Sequence, residues 1–240
     1  MYTLYLPSSN LLAIIDYMKR TFAILMLFSV MLTLSAATYY VGAEGGLAVN
    51  TVVAGKGYRN YKYSAEVGFK SSVPVVIMFT DNLGLDTGLA MYGKNYKSYQ
   101  TVTVDGKNQV NYNLEVNNGY LELPIAFRAS LPIKNFNFYL SVGGYMGAWL
   151  YGSRSGTVVN GNDKVEEVNE TTDLSLYTRV DAGLLARIGA DVGFGAFKLY
   201  AQYEYAFSVT DMNKSQKYGA YPIHNSTFSI TLGALWGINK

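Results

Sequence analysis

The 240-residue chain has no cysteine and a single histidine, His224. Without thiols there is no disulfide framework, no thiolate zinc site and no cysteine nucleophile, and one imidazole leaves little for metal binding or acid–base chemistry. Charge is also scarce: 19 Lys and Arg stand against 17 Asp and Glu, together 15% of the residues. A formal net charge of +2 supplies no concentrated basic stripe to displace counterions, so no nucleic-acid partner is expected. The scarcity of charge does not mark a disordered chain, because half of the residues are hydrophobic and 15% are aromatic. Long apolar runs are missing too. The stretch over residues 22–34 has 13 residues, whereas a spanning helix takes about 20.

That stretch follows Lys19 and Arg20 and precedes Ser35, Ala36 and Ala37, the charged, apolar and small-residue order of a secretory signal. Cleavage after Ala37 makes Thr38 the first mature residue. The residues before Met18 sit awkwardly ahead of an export signal, so both Met1 and Met18 are candidate starts. The expected organisation is an N-terminal extension with a cleavable signal peptide over residues 1–37 and one domain over residues 38–240. Without Lys19, Arg20 and Asp16, that domain holds 17 basic and 16 acidic side chains.

Past Thr38 the dominant period is two. Leu121, Leu123, Ile125, Phe127, Ala129 and Leu131 share one strand face, while Glu122, Pro124, Ala126, Arg128 and Ser130 share the other. Residues 180–192 and 228–238 repeat the pattern. Eight strands are expected near residues 39–49, 63–80, 83–94, 119–131, 136–151, 177–193, 195–210 and 226–239. Their connections alternate in length. Tight turns at Asp81-Asn82, at residues 132–135 and at Phe194 alternate with long connections over residues 50–62, 95–118, 152–176 and 211–225.

A meander with short turns at one end and long loops at the other is the outline of an all-β, eight-stranded antiparallel up-and-down transmembrane barrel of a bacterial outer membrane. In hydrocarbon every backbone polar group must be paired, so the first strand must close on the last. A soluble periplasmic lipocalin-like barrel would show the same alternation with its apolar side chains turned inward. The polar faces favour the membrane reading, because they carry Gly, Ala, Ser and Tyr with isolated charges, as a crowded lumen would. Tyr92, Tyr120, Tyr151, Tyr177, Tyr205 and Trp236 are candidates for aromatic girdles at the membrane interfaces.

Tyr120-Leu121-Glu122-Leu123-Pro124-Ile125 resembles a strand common in the outer-membrane β-barrel "porin family" domain. Asp81-Asn82-Leu83-Gly84-Leu85 with Gly88-Leu89-Ala90, and Phe138-Tyr139-Leu140 with Gly143-Gly144-Tyr145, look like that family's third and fifth strands. The similarity runs over essentially all of residues 38–240. It departs at the C-terminus, where Trp236 is followed by Gly237-Ile238-Asn239-Lys240 instead of a terminal aromatic residue. The resemblance implies the barrel fold and outer-membrane location, with lipids, lipopolysaccharide and the barrel assembly machinery as partners. It does not imply transport.

With apolar faces toward lipid, parity sends Glu44, Asp86, Glu122, Arg128, Asp181, Arg187 and Glu204 into a lumen just wide enough for side chains to fill. Opposite charges in that space must pair, so a salt-bridged polar plug around Arg128 and Arg187 is expected in preference to an open ion path. His224-Asn225-Ser226 is similar to the His-x-Ser pair of lipid A deacylases, outer-membrane enzymes that add a carboxylate to activate the serine. Here the closing strand offers apolar or small residues where that carboxylate belongs, so no catalytic residue is assigned. Residues 160–163 with Glu166, Glu167 and Glu170 offer oxygen ligands, but not at EF-hand spacing. The Gly-Lys pairs lack the following Ser or Thr of a phosphate loop. The expected role needs no cofactor or metal: envelope structure or binding of an extracellular ligand by the long loops, with weak solute permeation.

Overall fold

Residues 37–55, 61–104, 108–160, 164–212 and 222–238 are described by the computed structural model, and they form one antiparallel sheet of ten strands. These are β1 (Thr38–Ala54), β2 (Tyr61–Met78), β3 (Leu83–Gly93), β4 (Tyr96–Val104), β5 (Asn108–Ile133), β6 (Phe136–Val159), β7 (Val165–Thr171), β8 (Val180–Phe194), β9 (Phe197–Ser208) and β10 (Ile223–Gly237). The export signal expected over residues 18–37 lies, but for Ala37, outside the described residues.

Eight of the strands close a ring in the order β1, β2, β3, β5, β6, β8, β9, β10. The closing seam joins β10 to β1 from Tyr40 opposite Gly237 to Ala54 opposite Ile223 without interruption. Short turns connect β2 to β3, β5 to β6 and β8 to β9. At the first of these, the Thr80 hydroxyl accepts from the amides of Asn82 and Leu83, and the Asn82 side chain donates to the Ser130 carbonyl at 3.0 Å. Lys134 at φ 57° and Gly195 at φ 67° turn the chain at the other two.

The ring is apolar outside and polar inside. Leu47, Phe127, Leu140, Leu184, Ile230 and Leu232 point outward, with Phe127 at 74% and Leu232 at 68% exposure, while Glu44, Lys70, Asp86, Glu122, Arg128 and Glu204 are buried. A surface this apolar in water would aggregate, and hydrocarbon is the solvent that accepts it. A lipocalin-like barrel requires the opposite orientation.

The lumen is filled partly by tyrosines lying over glycines on the neighbouring strand. Tyr139 faces Gly189, Tyr145 faces Gly183 and Tyr200 faces Gly233. A Cβ at Gly189 or Gly233 would sit 2.4 Å from the opposing ring. The missing side chain is therefore the space that the ring occupies, and close packing leaves no room for both.

The strands run further than their hydrophobic pattern. Residues 95–118, expected as a loop, hold β4 and the upper half of β5, and much of residues 152–176 is the upper part of β6 paired with β7. β4 continues the path of β3 after a break at Lys94 and Asn95, pairing with the tip of β2 and with β5. Above the membrane both sheet faces meet water, so apolar alternation is no longer required and the period fades. Further on, Asp173 caps a single 3-10 turn over Leu174–Leu176 by accepting from the Ser175 amide at 2.9 Å. Three of the girdle candidates are also corrected: Tyr92 and Tyr120 are buried in the lumen and Tyr177 packs against them, whereas Tyr151, Tyr205 and Trp236 are exposed outward.

Candidate functional site

The inward side chains form three tiers of charge, beginning nearest the short turns. In the first, Arg128 donates through Nη1 to Asp86 at 3.2 Å, through Nη2 to Asp191 at 2.9 Å and through Nε to the Ser130 hydroxyl at 3.2 Å. Its guanidinium lies 3.4 Å from the centre of the Tyr139 ring. Asp191 also accepts from Asn137 at 2.9 Å and pairs with Lys198 at 3.1 Å. A bidentate cation between two carboxylates is well suited to a narrow bore, because each lone pair it satisfies would otherwise be stranded without water.

In the second tier Lys70 bridges Glu44 at 3.0 Å and Glu204 at 3.3 Å. Glu204 also accepts from Arg187 Nε and from the Tyr92 hydroxyl. Glu44 accepts from Ser72 at 2.8 Å, Tyr200 at 2.7 Å and Gln202 at 2.9 Å. In the third, Lys94 lies 2.6 Å from Glu122 and 2.8 Å from Asp181. Asp181 further accepts from Asn225, Tyr145 and Thr210. Tyr120 stacks on Trp149 with centroids 5.7 Å apart, and Tyr177 meets Trp149 edge-on above it.

The first two tiers each balance two cations against two carboxylates, and the third sets one cation between two. The cavity between the lower tiers, bordered by Glu44, Asp86, Arg128, Arg187 and Tyr200, measures about 20 Å³, room for a single water. Such an interior holds itself shut by electrostatics and close packing.

All seven lumen residues expected from parity lie on this inward side. Arg128 meets Asp86 and Arg187 meets Glu204 directly, Glu44 joins Glu204 through Lys70, and Glu122 joins Asp181 through Lys94. Arg128 and Arg187 share no carboxylate. Lys70, Lys94, Asp191 and Lys198 complete the tiers and escaped the sequence reading. Lys70 was legible in principle: it shares parity with Ser72 and opposes Phe69 and Val73. Lys94 was not, because its place depends on the break between β3 and β4.

His224 and Ser226 share the parity of Phe228 and Ile230 on β10 but do not engage each other. His224 Nδ1 lies 3.0 Å from the Thr210 carbonyl and the Ser226 hydroxyl 3.3 Å from that of Tyr205. Neither contact is to a carboxylate that could orient the imidazole for catalysis. Of the loop residues considered for calcium, 161–163 lie outside the described residues. Asn160 donates its amide to Glu166 at 3.2 Å, and among the described residues no group of three or more His, Asp or Glu is placed to hold a metal.

On the outer wall, Lys97 bridges Glu66 at 3.0 Å and Glu115 at 3.1 Å, beside the exposed Val67 and Phe69. The hydrogen bond from Lys97 holds the Glu66 carboxyl below its ordinary value, and bonds to Glu66 and Glu115 hold the Lys97 ammonium above its own. A charged triad directly above apolar side chains marks the level where hydrocarbon ends.

A sealed strand ring, greasy without and ion-paired within, is the construction of an integral outer-membrane protein. The chain belongs to the family of outer membrane protein beta-barrel domains, whose profile matches residues 36–212, and this places it in the bacterial outer membrane. Among solved structures it is similar to Neisserial surface protein A, NspA, at 11% identity over 82% of this chain and 97% of that one, with a TM-score of 0.44. OprG from Pseudomonas aeruginosa matches at 11% identity over 85% and 98%, with a TM-score of 0.48. The outer membrane protease OmpT from Escherichia coli matches at 9% over 84% and 97%, with a TM-score of 0.45. These are likenesses of fold. Comparison with curated proteins finds no match.

Proposed function

We propose that the protein is a non-enzymatic envelope barrel, exported by a signal cleaved after Ala37, whose work is done by the strands standing above the membrane. The observation that carries this reading is β7. It pairs with β6 along one side, has no second strand partner among the described residues, and ends the sheet. An unpaired strand edge offers a row of backbone donors and acceptors to any extended segment laid beside it. Exposed Glu166, Glu167 and Glu170 make a basic segment the complementary occupant. Below this edge, lipid and lipopolysaccharide surround the apolar belt, and the barrel assembly machinery inserts it. The packed lumen acts as the stiff mount.

An extended heptapeptide of alternating Lys and Val, followed by fluorescence anisotropy, is expected to bind the folded protein in detergent. Shortening the β6–β7 hairpin to a Gly-Ser turn is expected to weaken this at least tenfold while unboiled protein keeps its fast gel mobility. Equal binding by the shortened protein removes the reading. Ser226→Ala is expected to leave the acyl-chain content of lipopolysaccharide unchanged, as measured by mass spectrometry of lipid A; loss of a deacylated species in that variant would restore the enzyme reading.

A further inference from the structure

The two carboxylates of the third tier are held differently. Lys94 Nζ donates to Asp181 Oδ2 at 2.8 Å, and Glu122 Oε1 lies 2.6 Å from the same nitrogen. All three side chains are buried. Asp181 Oδ1 also accepts from the hydroxyls of Tyr145 at 3.3 Å and Thr210 at 3.2 Å, and Oδ2 accepts from Asn225 at 3.2 Å. Glu122 Oε1 has no other hydrogen-bond partner among the described residues. One acid is thus polarised by donors on both oxygens, while the other keeps a lone pair free to take a proton. The middle tier lacks this division. Lys70 also stands between two carboxylates, but Glu204 already accepts from Arg187 and Tyr92, and Glu44 from Tyr200 and Gln202.

We propose that Lys94 and Asp181 condense within the folded barrel to a side-chain amide, an isopeptide cross-link, with Glu122 as the base. A proton first passes along the hydrogen bond from the Lys94 ammonium to Asp181 Oδ2, leaving a neutral amine beside a carboxylic acid. The nitrogen lone pair then attacks Asp181 Cγ, and the C–N bond forms as the carbonyl electrons move onto Oδ1. The hydroxyls of Tyr145 and Thr210 already point at that oxygen and hold the developing oxyanion. Glu122 takes a second proton from the nitrogen and returns it to the Oδ2 hydroxyl, which leaves as water when the C–O bond breaks and the carbonyl reforms. The third proton stays as the amide N–H. Glu122 ends as the carboxylate it began as, no electrons are gained or lost, and no co-reactant is needed.

Low dielectric favours the first step, because it turns two opposite charges into two neutral groups. Fixed contact supplies the proximity that the same groups lack in free solution. Three tyrosine rings act against it: Tyr145, Tyr120 and Tyr92 lie 4.8, 5.0 and 5.7 Å from the ammonium and attract its charge. Freshly folded protein therefore carries the ion pair, and the amide accumulates slowly. It joins β8 to the residue that follows β3, 87 positions apart in the chain, on strands that are not ladder neighbours. Closing so long a loop restricts the unfolded chain as a disulfide would, in a protein with no cysteine to make one. The cross-link is independent of the binding edge on β7.

Intact-mass spectrometry of the full chain, folded in detergent micelles and incubated for several days, is expected to show conversion to a species lighter by one water. Tandem spectra of a protease digest are expected to place that loss on a branched peptide joining Lys94 to Asp181, with none at Lys70. A branched peptide separates the cross-link from dehydration of a single aspartate. Glu122→Gln, its folding checked by the gel mobility of unboiled samples, is expected to slow the conversion at least tenfold. Lys94→Arg keeps a cation between the carboxylates and is expected to abolish it. A native mass that stays constant through the incubation, the same water loss in Lys94→Arg, or equal rates in Glu122→Gln and native protein would overturn the proposal and leave peptide binding at β7 untouched.

Discussion

Lys94→Met is expected to lower the unfolding free energy of the barrel by about 3–5 kcal/mol, the usual consequence of removing one partner from a buried ion pair. Lys94 is 1% exposed and sits between Glu122 and Asp181, both equally hidden. Methionine keeps the length and most of the volume but leaves two buried carboxylates facing each other without a cation. The combined change Lys94→Met, Glu122→Gln and Asp181→Asn removes the charges together, and is expected to recover most of the loss, because neutral groups of similar shape are far cheaper to bury than stranded ions. Urea titration in detergent micelles, read by the gel mobility of unboiled samples, measures both. A loss under about 1 kcal/mol for the single change would show that this tier is open to water.

Leu232→Arg tests the orientation of the wall. Leu232 is the middle of the outward row Phe228, Ile230, Leu232, Ala234 and Trp236 on β10 and is 68% exposed. At the midplane of a bilayer an outward arginine costs about 2–4 kcal/mol. At an exposed position in water the same substitution changes stability by about 0.5 kcal/mol or less. Folding titrations in lipid vesicles separate the two, with Leu232→Ala as the control for lost packing. An arginine variant as stable as the alanine one contradicts a lipid-facing β10.

The fold was readable wherever one side of a strand meets hydrocarbon and the other a crowded lumen, as at residues 121–131, because the environment then imposes a period of two. It was unreadable in β4 and the upper half of β5. There Ser98 and Gln100 on one side and Thr101 and Thr103 on the other satisfy a sheet with water on both faces, and nothing in the alternation distinguishes them from loop. The same physics divides the site. Glu44, Asp86, Glu122, Arg128, Asp181, Arg187 and Glu204 follow from parity once the lipid side is chosen, since a charge that cannot face hydrocarbon must face inward. Which carboxylate meets which cation does not follow, because partners are brought together by ring curvature and strand stagger. Tyr92 and Tyr120 were misassigned to the girdles for a related reason. Tyrosine suits an interface and a polar interior alike, and only its strand neighbours decide.

The ion pairs of the middle tier have a consequence for how the molecule comes apart. Lys70 on β2 holds Glu204 on β9, and Glu44 on β1 holds Tyr200 and Gln202 on β9. These are tethers thrown across the bore between ribbons that are not ladder neighbours, like rungs bracing the inside of a tube. They knit together only after the cylinder has shut, and a single torn seam is pulled back into place by them. Release therefore demands that the whole circumference yield at once, and the finished protein should outlast detergents that strip away its surrounding lipid.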